Sequence, residues 1–367
     1  MQCNAPFTGL TIDPAGWITM CCNSSDREQF GVKITDVPDL QEFWRSAQWD
    51  KLRSDMNWLG LRSIKECSVC SKAIDRGQKA EVHNYNQYLY QNSTDGKIKY
   101  LEMTTSNVCN QSCAMCTSYF STKWRKIEKK MPEWSRNGSP THSLSDESID
   151  KIMQVLPTLE RLNIKGGEPF ADLNNLSILQ QLAETNPECN VIITSNFQNI
   201  PEQWYEPLKK LKNLIIGASI DGTGKTYDWI RGGNFENTFW NIKDFEEEVG
   251  VRPCINMCIS VYNVYNLKET QDFFKGYTQN FYNVVTLPAY LSPGILNLEK
   301  LKDMLLKQFE HDKSRISPNL WNVEVPTGPE GENKDELIEK FFEYTVSMNK
   351  VRGFNIFDVH PELTKIF

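Results

Sequence analysis

The chain has 367 residues, 40% of them hydrophobic, with ten Trp and eighteen Phe, which is enough for one large domain and a small one around a substantial core. A net charge of −7 argues against a broad nucleic-acid-binding surface, and no apolar run approaches the length of a membrane span. Eleven cysteines, with no basic segment and apolar run at the N-terminus, lead us to expect a reducing cytoplasm and thiols that serve metal rather than disulfides.

The pattern divides the chain into a cysteine-rich block (1–75), a polar linker (76–98), a core (99–292) and a helical C-terminal region (293–367). In the first block, Thr8 to Ile12 and Trp17 to Met20 alternate like strands around the turn Asp13-Pro-Ala-Gly16, so they predict a hairpin ending at Cys21-Cys22. Pro38 opens a helical pattern through Leu40, Phe43, Trp44, Ala47 and Leu52, and Cys67-Ser-Val-Cys70 follows it. Cys3, Cys21, Cys67 and Cys70 can converge on one metal object, with Cys22 as a rival to Cys21. A zinc-ribbon-like site is the alternative for four such ligands.

The core opens with the strand Tyr100 to Thr104, which runs into Cys109, Cys113 and Cys116 in a C-x3-C-x2-C spacing. A loop this tight aims three thiolates at one small inorganic object and leaves one corner open. A partial zinc site has too few local ligands, whereas a [4Fe–4S] cluster that must bind something else at its fourth iron suits the set. The stretch Lys123, Trp124, Arg125, Lys126, Lys129, Lys130, Trp134 and Arg136 reads as a solvated helix face and loop, with nucleic-acid binding as the lesser reading. Ser143 or Ser145 caps the next helix, with Asp146 and Glu147 in its first turn. The strand Leu159 to Lys165 then meets Gly166-Gly167-Glu168-Pro169, where two glycines let backbone approach a ligand.

Strands at Val191–Thr194, Leu214–Ile220, Ile255–Val261 and Val284–Pro288 alternate with helical patterns. Near-continuous apolar strands of this kind predict a parallel sheet. The fold class expected is α/β. Cys189, Cys254 and Cys258 read as buried core cysteines, and His83, His142, His311 and His360 show no ligand spacing. On the plainer reading Asn196 closes a turn and Arg231 pairs with a surface acid, while Asp221 either contacts substrate or caps a helix. The last region is helical from Leu298 to Phe309 and from Leu337 to Met348.

The three-cysteine loop, followed one strand later by Gly-Gly-Glu-Pro, resembles the radical S-adenosylmethionine (radical SAM) enzymes. The resemblance implies a partial (β/α)6 TIM-like barrel, with Cys109, Cys113 and Cys116 holding a [4Fe–4S] cluster whose fourth iron is chelated by SAM. It further implies that Gly166, Gly167 and Glu168 bind the SAM amino group, and that Ser195, Asn196, Ser219 and Arg231 reach its ribose and carboxylate. The implied reaction starts with reductive SAM cleavage to a 5′-deoxyadenosyl radical that takes hydrogen from a substrate. No catalytic residue is assigned.

Cys-Asn-Ala-Pro-Phe, the segment from Ile12 to Cys22, Phe-Trp-Arg-Ser and Glu-Cys-Ser-Val-Cys resemble the SPASM/twitch auxiliary-cluster domain, which here precedes the barrel instead of following it. That resemblance implies a second [4Fe–4S] cluster on Cys3, Cys21, Cys67 and Cys70, and a peptide or protein side chain as substrate. An aminosugar or cofactor-precursor substrate is the alternative, as is a catalytically silent iron–sulfur or zinc binding protein. The implied partner is an external electron donor such as flavodoxin or ferredoxin; neither a membrane nor nucleic acid is expected. The tail Asn349 to Leu363 resembles twitch-type C-termini and is expected to close the open side of the barrel.

Overall fold

The structure is a computed structural model that describes residues 1–24, 26, 28–88, 95–135, 138–329 and 331–365. Arg136 of the basic stretch, Asn137 of the loop after it and part of the 76–98 linker lie outside them. Eight strands form one sheet: β1 (Gly9–Ile12), β2 (Ile18–Thr19), β3 (Tyr100–Met103), β4 (Arg161–Ile164), β5 (Asn190–Ser195), β6 (Asn213–Ser219), β7 (Cys254–Ile259) and β8 (Gln279–Val284). Their order is β2-β1-β3-β4-β5-β6-β7-β8; β1 and β2 pair antiparallel and the other neighbours pair parallel.

The strands alternate rather than run apolar throughout. Leu101, Met103, Leu162, Ile164, Val191, Ile193, Ile216, Ile255 and Met257 are fully buried on the face that the helices cover. The other face carries Glu102, Asn163 and Ile192 in register on β3, β4 and β5, and Ser219, Asn256 and Asn280 in register on β6, β7 and β8. Tyr100, Asn163, Lys165, Ile192, Asn256 and Asn283 line one cavity, so the sheet curls around a hollow. A hollow that must receive polar ligands selects polar side chains on that face, and this breaks the apolar run that a sheet buried on both sides would show. The architecture is α/β with a mostly parallel sheet, consistent with a partial TIM-like barrel.

The N-terminal hairpin forms as its turn residues dictate, pairing Thr11 with Thr19, but it does not stand apart from the core: β1 pairs parallel with β3 and extends the same sheet. The helical pattern after Pro38 is two helices, Leu40–Trp44 and Ala47–Trp58, because Ser46 caps the second by accepting from the Trp49 amide. Trp44 and Trp49 donate their indole N–H groups to the Gly9 and Pro6 carbonyls and bind these helices to the hairpin. The linker contains a helix, Glu81–Tyr88, that buries Val82 and Tyr85; its surrounding polar residues hid it.

The last strand ends at Val284, so the expectation of a strand over Val284–Pro288 is corrected. Asn280 and Asn283 are polar because they face the hollow, while Gln279 donates its amide to the Gln271 and Phe274 carbonyls, and apolar content alone therefore pointed downstream. Ser145 caps the helix Asp146–Val155, as one of the two serines was expected to. The helix Lys334–Arg352 starts at a capping box of Asn333 and Glu336 and stops at Gly353, which is left-handed with φ 77. The end of this helix and the tail beyond it rest on the helix Gly224–Arg231, where Asn349 of the former accepts from Trp229 and His360 of the latter bonds Thr226. Among the described residues, no helix is long and apolar enough to cross a membrane.

Candidate functional site

The loop after β3 is held from behind, which leaves its thiols to face the hollow. Asn107 is fully buried and closes the loop's base: its Nδ2 donates to the Ser118 and Pro140 carbonyls, and its Oδ1 accepts from the His142 amide. The Cys116 amide donates to the Cys113 carbonyl at 2.9 Å and turns the chain. Trp124 donates its indole N–H to the same carbonyl at 2.8 Å. Ser112 and Ala114 donate backbone N–H groups to Arg231 and Ile230, so the loop lies against the helix Gly224–Arg231.

The front of the loop opens on a cavity of about 400 Å³ lined by Cys109, Cys113, Cys116, Gly166, Gly167, Asn196, Ser219 and Arg231. Thus eight of the expected core residues meet around one space. Glu168 and Ser195 stand behind it. Glu168 is buried; its carboxylate accepts from the Ser195 hydroxyl at 2.8 Å and from the Asn196 amide at 2.7 Å, and so ties the end of β5 to the Gly-Gly turn. Burial pushes the Glu168 carboxyl up to about 7, against the lowering effect of the Asn196 and Ser195 bonds. The turn needs both glycines: a Cβ on Gly167 would stand 2.1 Å from the Val108 carbonyl oxygen, and one on Gly166 would stand 2.2 Å from Thr104 Cγ2.

Arg231 pairs with a buried acid, not a surface one. Its guanidinium is 2.7 Å from Asp221 and donates from Nε to Gln111. Asp221 neither caps a helix nor faces solvent; its other oxygen accepts from the Cys258 amide at 2.8 Å. Burial disfavours the Arg231 charge, and neighbouring Cys113 and Asp221 more than restore it. Burial raises the thiols of Cys109 and Cys113, Cys109 to about 12. A metal or cluster bound there would displace protons.

The N-terminal cysteines also come together. Burial raises the Cys21 thiol, and the charges of Cys22, Cys3 and Cys67 add to it; burial raises Cys3 to about 11 and Cys67 to about 12, where the charges of Cys3 and Cys70 add to the Cys67 shift. Cys22 points elsewhere, 3.7 Å from the Tyr85 hydroxyl and 3.8 Å from Lys165 Nζ. Among the described residues no three His, Cys, Asp or Glu side chains converge as ligands of a single ion. The core loop instead presents its thiols around a shared space, and this fits a cluster that takes each sulfur on a different iron.

Several site residues were not legible in the sequence. A second cavity of about 720 Å³ is lined by Cys70, Glu81, Tyr85, Asn163, Asn256 and Asn283 among others, and it shares Lys165, Asn256 and Asn283 with the first. Cys70 of the N-terminal group therefore borders a hollow that adjoins the cavity of the core cysteines. Lys165 sits at the junction, paired with Glu102 at 3.1 Å; burial opposes its charge, which Glu102 and Cys22 favour. Cys258 is not a core residue as expected, because its strand position faces the cavity beside Arg231. Trp124 is buried and Trp134 packs on Tyr290 and Tyr344, so the rings of the basic stretch are not free to stack on bases.

Residues 103–275 match the family model described as Radical SAM superfamily. The chain is 23% identical over 273 residues to the radical SAM cyclopropyl synthase TigE of Paramaledivibacter caminithermalis, a match covering 68% of this chain and 55% of that protein. It thus spans about half the length of the curated relative it matches. Among solved structures, native anSMEcpe with bound AdoMet aligns at 17% identity and a TM-score of 0.41, over 60% of this chain and 63% of that one. Streptococcus suis SuiB bound to S-adenosylmethionine aligns at 17% identity and a TM-score of 0.37, over 76% and 61%. The family match and the curated relative support an enzyme with a radical SAM domain.

Proposed function

We propose, on the premise of a radical SAM domain over residues 103–275, that Cys109, Cys113 and Cys116 hold a [4Fe–4S] cluster and that the cavity in front of them takes S-adenosylmethionine. The carrying observation is the meeting of these thiols with Gly166, Gly167, Asn196, Ser219 and Arg231 around one space. When bound, the cluster and SAM would supply one-electron reductive cleavage of the C5′–S bond and, from it, the power to take a hydrogen atom from substrate.

The chain's own residues orient the reactants and keep the site dry. Arg231, a buried cation at the wall, suits a carboxylate, which its planar fork can hold by two oxygens. The backbone of Gly166 and Gly167 lets a ligand come close to the sheet edge. Glu168 and Ser195 act from behind: they fix Asn196, whose side chain reaches Asn110 in the cysteine loop at 2.7 Å.

Cys3, Cys21, Cys67 and Cys70 hold a second cluster in this reading, and the shared walls of the two cavities support a substrate lying between the cysteine groups. We favour a peptide or protein side chain as substrate. The carboxamides of Asn163, Asn256, Asn280 and Asn283 on the second cavity both donate and accept hydrogen bonds, as peptide groups do. The test is anaerobic: iron-loaded protein reduced with dithionite and given SAM should form 5′-deoxyadenosine, and the C109A/C113A/C116A variant should form none. No product from fully loaded wild type would refute the proposal.

A further inference from the structure

On the far side of the cysteine loop, facing solvent, lies a hollow of about 420 Å³ rimmed by Lys123, Lys126 and Lys130 and floored by Ser112 and Arg352. We infer that this basic surface docks an acidic one-electron carrier protein that reduces the cluster. The inference rests on the proposed activity above.

Lys126 and Lys130 are four apart on the helix Trp124–Lys130 and so share a face. Both are exposed, and neither forms an ion pair among the described residues. Lys225, outside the lining but 5.0 Å over the ring of Phe354, which does line it, adds a neighbouring cation. Arg352 is bound to the Ser112 carbonyl and hydroxyl and to the Trp229 carbonyl, and among the described residues no carboxylate pairs with it. Asp228 is the one acid in the lining among the described residues. A net positive rim stands out on a chain of net charge −7, which as a whole repels an acidic protein; only such a patch can capture and orient one.

The surface also lies where an electron must enter. Lys123 Nζ donates to the Asn110 carbonyl at 2.8 Å, and Ser112 precedes Cys113, so the hollow is backed by the cysteine loop itself. The other side of that loop faces the cavity assigned to SAM. One electron passes from the reduced carrier, a flavin hydroquinone that becomes the semiquinone, to the cluster; no bond forms or breaks.

The test uses an acidic flavodoxin with the iron-loaded full chain and the K126E/K130E variant, neither lysine lining the separate cavity assigned to SAM. Two readouts are taken: equilibrium binding of flavodoxin, and the rate of cluster bleaching by flavodoxin hydroquinone or by dithionite. The variant should bind about tenfold more weakly and be reduced more slowly by flavodoxin, with dithionite reduction unchanged. Wild-type binding should weaken as salt rises from about 0.05 to about 0.5 M, and K126R/K130R should restore it. If the charge reversal unfolds the chain, K126Q/K130Q replaces it, with the same direction expected. Flavodoxin binding that is salt-independent, or within about twofold of wild type in the variant, overturns the surface; so does RNA, but not flavodoxin, binding through these lysines. Absence of SAM cleavage with dithionite would instead refute the proposed activity, while the binding arm still decides the surface.

Discussion

Arg231 and Asp221 form a buried ion pair at 2.7 Å in the wall of the cysteine cavity, and each is tied to a further element: Arg231 to Gln111 in the cysteine loop, Asp221 to the backbone of β7 at Cys258. The pair joins the loop after β3, the helix after β6 and the strand β7. Replacing Asp221 with Asn would leave a guanidinium buried without its counter-charge. The expected cost is about 3 kcal/mol, read as a lower urea midpoint. Arg231→Met/Asp221→Leu should be markedly less damaging than Asp221→Asn, and an equal loss in the two would contradict the ion-pair account.

Gly167 sets how near the turn after β4 comes to the cysteine loop. A methyl there has 2.1 Å to the Val108 carbonyl, and backbone on both sides leaves little room to yield. Gly167→Ala should keep the fold, judged by circular dichroism, yet lose most of the iron bound at the core loop. Full iron and an unchanged visible spectrum would show that the loop tolerates the shift.

Glu168 makes stability depend on pH in a defined direction. Its carboxyl is raised by burial to about 7 from an ordinary 4.5, so the native state holds its proton more tightly than the unfolded chain does. This contribution is fully present below about pH 4.5 and is lost as pH rises through about 7. The slope from one such group is at most about 1.4 kcal/mol per pH unit. Glu168→Gln should remove this component from urea midpoints measured between those pH values. A wild type and variant that fall in parallel would place the titration elsewhere.

The pair Cys21-Cys22 can be separated by iron counting. Cys21 neighbours Cys3 and Cys67, whereas Cys22 meets Tyr85 and Lys165. Cys21→Ser should lose the iron of one cluster and Cys22→Ser should lose none. The opposite outcome would exchange their roles.

The core cysteine loop and the Gly-Gly turn were readable in the sequence because each is a short contiguous signal at the end of an apolar strand. What the sequence hid depends on register across strands far apart in the chain. Lys165, Asn256 and Asn283 share a wall only because β4, β7 and β8 curl around one hollow, and the polarity this imposes disguised β8 itself. Cys258 looked like a core residue for the same reason: its neighbours on the strand, Met257 and Ile259, are buried, and only the strand's orientation turns Cys258 to the cavity. The joining of β1 to β3 was likewise invisible, since a parallel pairing leaves no turn between its strands.

The most direct measurement is the electron paramagnetic resonance spectrum of the dithionite-reduced protein before and after addition of SAM. The account predicts a reduced-cluster signal that SAM shifts in the wild type and in the C3A/C21A/C67A/C70A variant, and that is missing from C109A/C113A/C116A. A signal from iron-loaded wild type that SAM leaves unchanged would contradict an open iron at Cys109, Cys113 and Cys116, and with it the proposed chemistry.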